Sequence, residues 1–263
     1  MRRNAVKATM ASGGTALVGW AGIGNAYAAE LLGHAGFDGV VADLQHGQLF
    51  LDAAVGVLQA LSATPAVPMA RTTSNDFAEI NKVLDSGAYG VIVPMIDTAD
   101  DARRVVEAVR YPPRGRRSFG PARGLLYGGD DYAAHADDEI LAFAMIETPQ
   151  ALEHLDEIAA VPGLDGLFVG PADLSLALGV PPVPRWRDEP LAGAIARIHR
   201  AARAHGKFAG IFCTGVDMAI DMRAAGWDML VPGNDAALLR GAARAACDRI
   251  RGAAPPPKAG SGY

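Results

Sequence analysis

Cysteine is nearly absent from this chain of 263 residues. Cys213 and Cys247 have no CxxC spacing, which excludes a disulfide framework and a cysteine-built zinc site and fits a reducing compartment. Lysine is also scarce, with only Lys7, Lys82, Lys207 and Lys258. Schiff-base chemistry on a carbonyl needs a desolvated lysine in the site. None of the four suits it: Lys82 falls in a helical stretch, Lys207 precedes a strand, and Lys7 and Lys258 lie in terminal segments. No apolar run approaches the roughly 20 residues of a membrane span. Formal net charge is −5 and the arginines are scattered, so nucleic-acid binding has no electrostatic support. No G-x-G-x-x-G follows the first strand candidate, which removes the dinucleotide fingerprint of an open doubly wound sheet.

What the chain has is alternation. Strand candidates occur at Thr15–Trp20, Gly39–Leu44, Val67–Arg71, Gly90–Met95, Ala142–Ile146, Gly166–Val169, Phe208–Phe212 and Met229–Val231. Most are continuously apolar, as parallel strands covered on both faces are. Amphipathic stretches such as Phe77–Ser86, Ala99–Arg110, Pro149–Ala160, Leu191–His205 and Val216–Ala225 separate them. Eight such units in about 250 residues predict an α/β protein, a single-domain (β/α)₈ TIM barrel, over residues 1–252. The Pro-, Gly- and Ser-rich tail 253–263 is expected to be disordered. Tyr111–His135 and Val180–Pro190 are long excursions, of the kind that carry function or lack order. Met1-Arg2-Arg3 and the apolar stretch ending in Ala26-Tyr27-Ala28-Ala29 have the outline of a secretory signal. Ser12-Gly13-Gly14 and Gly22–Asn25 interrupt it, and the fold needs this stretch as its first strand and helix; the expectation is a cytoplasmic protein.

In such a barrel the chemistry sits at the carboxyl ends of the strands. Those ends carry Asp43-Leu44-Gln45-His46, Arg71, Glu147 and Gly170-Pro171-Ala172-Asp173. Each has an ordinary explanation. Asp43 and Asp173 can cap a turn or helix, Glu147 can mark a helix start, His46 can be a satisfied rim residue, and Arg71 can pair with an acid. Their convergence on one rim favours a site. Glu147 and Asp173 suit a hard cation such as Mg²⁺ or Mn²⁺. Arg71 suits a carboxylate or a developing enolate oxygen. Asp43 and His46 suit a proton-transfer pair, and the amides around Gly170–Asp173 suit a substrate carboxylate. Together they predict enolisation of a small 2-keto acid.

The segments Asp43-Leu44-Gln45-His46-Gly47, Leu84-Asp85-Ser86-Gly87-Ala88, Val91-Ile92-Val93-Pro94-Met95, Tyr111-Pro112-Pro113-Arg114-Gly115, Met145-Ile146-Glu147-Thr148 and Gly170-Pro171-Ala172-Asp173-Leu174-Ser175 resemble the class II pyruvate aldolases of the HpcH/HpaI type, in the citrate lyase β-subunit superfamily. The likeness runs in order from about residue 15 to 250. It implies reversible cleavage of 4-hydroxy-2-oxo acids to pyruvate, or hydroxypyruvate, and an aldehyde. It implies Glu147 and Asp173 as ligands of Mg²⁺, Mn²⁺ or Co²⁺, Arg71 at the keto oxygen, and His46 with Asp43 as the proton-transfer dyad. It also implies Asp85 reaching a neighbour's active site in a hexamer, a trimer of dimers that often exchanges its last helix. Gln45 stands where many members carry an acid, which is similar to a subset acting on hydroxyketoacids. Arg116–Gly120 and Tyr127–Gly129 also resemble that subset, and the loop is expected to close over or near the site. The alternative is other metal-enolate chemistry, as in a decarboxylase or a citrate-lyase-β-like acyl-CoA lyase, with arginines 114, 116, 117 and 123 as a coenzyme groove. Trp20 and Phe212 either line the aldehyde side or pack.

Overall fold

The computed structural model describes residues 1–182 and 185–252. The tail 253–263, expected to be disordered, lies outside the described residues, as do Val183 and Pro184 of the second excursion.

Eight parallel strands close into a barrel: β1 (Ala16–Ala21), β2 (Gly39–Asp43), β3 (Val67–Arg71), β4 (Gly90–Val93), β5 (Leu141–Ile146), β6 (Gly166–Val169), β7 (Phe208–Phe212) and β8 (Met229–Val231). They pair in sequence order, and β1 pairs with β8 to close the ring. Four strands have the predicted bounds and the rest shift by one or two residues at an end. The largest difference is at β4. Pro94 has no N–H for a ladder, and Met95 turns to φ 55°, so the strand stops at Val93.

The stretch with the outline of a signal supplies the helix Ala5–Ala11, β1 and the helix Ala26–Gly33. Val6 and Met10 of the first helix are buried under the barrel. A Cβ on Gly39, at the start of β2, would stand 2.8 Å from Val6, so glycine there lets the helix seat. The helical run Pro149–Ala160 is two helices, Pro149–Glu153 and Leu155–Ala159, meeting at His154. The Tyr111–His135 excursion is not a bare loop and runs on to residue 140: the connection holds the helices Ala122–Gly128 and Tyr132–Glu139.

Register rows carry layers across the barrel. One is Met145↔Phe168↔Gly210↔Met229 and another is Asp43↔Arg71↔Ile92. Trp20 of β1 stacks on Phe168 of β6 at 5.9 Å between ring centroids and meets Phe212 of β7 edge-on at 5.4 Å. β1 and β6 are not neighbours in the sheet, so these rings point to the barrel axis. By the two-residue period of a strand, Glu147 beyond Met145 and Gly170 beyond Phe168 belong to the next layer, at the mouth. Among the described residues, no helix is long and apolar enough to cross a membrane.

Candidate active site

The floor of the barrel mouth is a buried ion pair. Arg71 donates from Nε to Asp43 Oδ1 at 2.7 Å and from Nη2 to Asp43 Oδ2 at 2.6 Å. Arg71 is 6% exposed and Asp43 4%. Trp20 Nε1 donates to Asp43 Oδ2 at 3.0 Å, and the Arg71 guanidinium lies 4.9 Å from the Trp20 ring centroid. The backbone amides of Gln45 and His46 donate to Asp43 Oδ1. Burial alone would raise the Asp43 carboxyl, but the Arg71 hydrogen bond and charge, with Trp20, hold it below its ordinary value.

That shift has a sign. The ionised, Arg71-paired Asp43 stabilises the fold above its ordinary value of 3.8, and the contribution is lost as pH falls through the lowered folded value. Asp43→Asn is therefore expected to destabilise at neutral pH and to lose that handicap on acidification. Unfolding midpoints of both chains from pH 7 to pH 2 check this; a difference that stays constant would contradict it.

Within reach of the Arg71 charge lies Glu147, 2% exposed. Oε1 accepts the Met95 amide at 2.9 Å, while Oε2 is buried with no hydrogen-bond partner. Burial raises this carboxyl; the Met95 amide opposes that, the charge of Asp173 adds to it, and the Arg71 charge works against it. The left-handed turn at Met95, uncommon outside glycine, aims the amide at Glu147. A Cβ on Gly170 would stand 2.6 Å from Glu147 Oε2, so only glycine leaves the carboxylate its place. Asp173 is exposed in the first turn of the helix Pro171–Ala177.

A buried carboxylate oxygen without a donor, beside a second carboxylate, fits a hard divalent cation that completes its octahedron with water and substrate oxygens. Among the described residues no group of three or more His, Cys, Asp or Glu side chains forms a closed metal cage. The fit thus rests on two acids with open positions. Gly170→Ala, at an ordinary φ of −97°, is expected to keep the fold and to weaken Mn²⁺ binding by about 10- to 100-fold, as displaced support of a ligand does. Calorimetric titration with Mn²⁺ checks this; unchanged affinity would contradict it.

Two expected features have a different geometry. His46 does not meet Asp43 through its imidazole: Asp43 takes the His46 backbone amide, and Arg71 occupies both carboxylate oxygens. The imidazole stands exposed on the rim. Nor does the 111–140 excursion cover the mouth of its own barrel. It leaves the end of the helix Ala99–Val109 and leads into the start of β5, both at the amino end, where Gly128 accepts the Arg2 amide. The geometric reason is the βα rule: helices return the chain to the amino end, so an αβ connection lies opposite the site. Arg117 is buried there, donating to Asp85 Oδ1 at 3.0 Å and to Tyr132 Oη at 3.1 Å. Arg114 and Arg116 pair with acids and Arg123 holds Ser86 and Ser62, so these arginines form no groove at the mouth. Asp85 likewise ends its helix at the amino end, away from its own chain's rim.

Gln45 Oε1 is buried without a partner. Trp20 and Phe212 pack inside the barrel. Among the described residues no lysine reaches the rim: Lys207 caps the carbonyls of Val161 and Leu164, and Lys7 pairs with Asp165. Met95, and Asp97 whose charge also bears on Glu147, are parts of the mouth that sequence reasoning missed. Pro94 directly after an apolar strand was the available signal.

The sequence model of the HpcH/HpaI aldolase/citrate lyase family matches residues 17–242. A hydroxypyruvate/pyruvate aldolase of Rhizorhabdus wittichii is 40% identical over 241 residues, 92% of this chain and 96% of the relative. A 4-hydroxy-2-oxo-heptane-1,7-dioate aldolase of Salmonella paratyphi C is 36% identical, covering 94% of this chain and 95% of the relative. The crystal structure of an HpcH/HpaI aldolase/citrate lyase family protein from Burkholderia cenocepacia matches with a TM-score of 0.87 at 30% identity, over 94% of this chain and 99% of that one.

Proposed function

The chain belongs to the HpcH/HpaI aldolase/citrate lyase family, and from that premise we propose that its barrel mouth enolises pyruvate or hydroxypyruvate for reversible aldol addition to an aldehyde. It is a carbon–carbon lyase. The observation that carries the reading is the buried, partnerless Glu147 Oε2, which feels the charges of both Asp173 and the Asp43-held Arg71.

Glu147 and Asp173 would hold Mg²⁺, Mn²⁺ or Co²⁺, which when bound supplies Lewis-acid stabilisation of enolate charge. Arg71 is fixed by Asp43 and Trp20 before substrate arrives, so its positive charge faces the keto oxygen with no reorganisation. Two N–H groups of Arg71 are spent on Asp43, and Nη1 lies outside that fork. The first-turn amides of Ala172 and Asp173, which follow Gly170 and Pro171, have no intrahelical acceptor and receive the substrate carboxylate. Water is excluded below this level by Trp20, Phe168 and Phe212. His46, exposed on the rim beside Gln45, takes or returns the proton at the aldehyde-derived oxygen.

Hydroxypyruvate is retained as a donor because the Rhizorhabdus relative carries that activity in its name. Mixing either keto acid with a panel of short aldehydes and Mn²⁺, and following the 4-hydroxy-2-oxo product by mass spectrometry, tests the reading. Product that disappears with EDTA is expected; product that persists in EDTA, or a borohydride-trapped adduct on a lysine, would overturn it.

The last helix, Asp235–Ile250, buries only Asp235 against its own barrel and leaves Leu239 64% exposed. Leu17, on the outer face of β1, is 41% exposed where a covering helix belongs. Both support exchange of this helix between partners in a hexamer, a trimer of dimers. In that assembly Asp85, held by Arg117 and part-exposed, serves the neighbouring mouth. Leu17→Asp with Leu239→Asp is expected to lower the mass measured by light scattering from six chains to fewer; an unchanged mass would contradict helix exchange. A cytoplasmic setting accords with free Cys213 and Cys247.

A further inference from the structure

The last helix is anchored to its own barrel at the active-site end. Asp235, its first residue, accepts the Gly22 amide on Oδ1 at 2.9 Å and the Ile23 amide on Oδ2 at 3.1 Å. Ala236 adds a third amide to Oδ1 at 2.8 Å. Gly22 and Ile23 form the loop that leaves β1, two residues beyond Trp20, whose indole braces Asp43.

That loop lies against the rim segment carrying His46, backbone on backbone. Gln48 donates its amide to Gly22 O at 2.7 Å. A Cβ on Gly47 would stand 3.1 Å from Gly22 Cα and 2.2 Å from Asp43 O. A Cβ on Gly24, which sits at φ +76°, would stand 2.4 Å from Gln48 O. The Leu49 side chain fills the remaining space, 2.5 Å from a Cβ on Gly47 and 3.0 Å from one on Gly24, so a shift of the loop is passed on to residues 45–49 rather than absorbed. The segment is thus held from below by Asp43, which takes the amides of Gln45 and His46, and from the side by the loop that Asp235 clamps.

We propose that Asp235 is a positioning residue: it locks the β1 exit loop against the His46 segment, so that the seating of the last helix sets the geometry of the catalytic rim. Asp235 touches no substrate, and its kinetic consequence rests on the aldolase reading above. The device links assembly to chemistry, because the helix it begins is the element offered to a partner.

The test compares the full-length chain with Asp235→Ala and the milder Asp235→Asn, which keeps one acceptor oxygen. Hydrogen exchange read by mass spectrometry is the arm that does not depend on the aldolase reading. Asp235→Ala is expected to speed exchange by about tenfold or more in residues 22–24 and also in 44–50, with β3 to β7 unchanged, as a local opening does. In the kinetic arm kcat is expected to fall about 10- to 100-fold, the scale of an ångström misplacement, while Mn²⁺ affinity stays within about twofold. Asp235→Asn is expected to fall between the two chains with its oligomeric mass intact. Faster exchange confined to 22–24 and the last helix would overturn the proposal. So would a kcat loss that appears only where the mass also drops. If the unaltered chain shows no aldol activity, the aldolase reading fails on its own, and protection of 44–50 still decides whether Asp235 holds the rim.

Discussion

Glu147→Gln is expected to abolish turnover, by about 10²- to 10³-fold or more as when a preorganised charge contact in a site is removed, and to leave the metal-free protein at least as stable as before. The two halves have one cause. Glu147 is almost fully buried and its Oε2 has no donor among the described residues; Asp173 adds a second negative charge nearby, and the Arg71 charge offsets only part of the burial. Its carboxyl is therefore raised, and a raised acid contributes stability below its unfolded value that is lost as pH climbs through the folded one. At neutral pH the ionised form is a cost to the fold. Glutamine keeps the shape and the acceptor for the Met95 amide but removes that cost, and with it the cation. Asp173→Ala should lose activity similarly with little change in stability, since Asp173 is exposed. Calorimetry of the metal-free proteins with and without added Mn²⁺, beside steady-state rates, measures both. A Glu147→Gln chain that turns over normally would sink the site; one that unfolds would show Glu147 to be structural.

Arg71→Met is expected to be as damaging in activity and, unlike Glu147→Gln, to cost stability. It strips the partner from a buried Asp43 whose both oxygens Arg71 holds. Leaving one member of a buried pair uncompensated costs about 3–5 kcal/mol, or roughly 6–20 °C in midpoint for a chain of this size. The double change Arg71→Met with Asp43→Leu removes both charges and is expected to regain most of that stability while remaining inactive. Thermal unfolding separates the outcomes. Recovery of stability without activity identifies the pair as a device for placing charge at the mouth. Recovery of both would mean that Arg71 does nothing for the reaction beyond holding the fold.

The contrast between these variants reflects how the site can be read from the chain. The barrel was legible because parallel strands buried on both faces leave continuous apolar runs, and Val67–Arg71, Gly166–Val169, Phe208–Phe212 and Met229–Val231 have the bounds the pattern gives. The polar residues ending those runs were legible because the carboxyl ends of barrel strands share one rim. Partnership was not legible. Sequence places Asp43 three residues from His46, yet the inward row Asp43↔Arg71 brings the carboxylate to Arg71 instead. Which end of the barrel a loop occupies follows from topology, and the glycine and arginine content of 111–135 obscured it. Met95 was invisible because its role lies in a backbone angle and one amide. Asp235 was invisible because it acts through amides more than 200 residues away in sequence (213 and 212).

The most direct measurement is deuterium exchange into the methyl group of pyruvate, followed by NMR, with Mg²⁺ or Mn²⁺ present and then with EDTA. It registers enolisation without any aldehyde. Exchange that requires the metal, and that is lost in Glu147→Gln and Arg71→Met, is the expected result. Exchange that survives EDTA would contradict a metal-held enolate. Absence of exchange from both pyruvate and hydroxypyruvate by folded, metal-supplied protein would contradict the enolisation site itself.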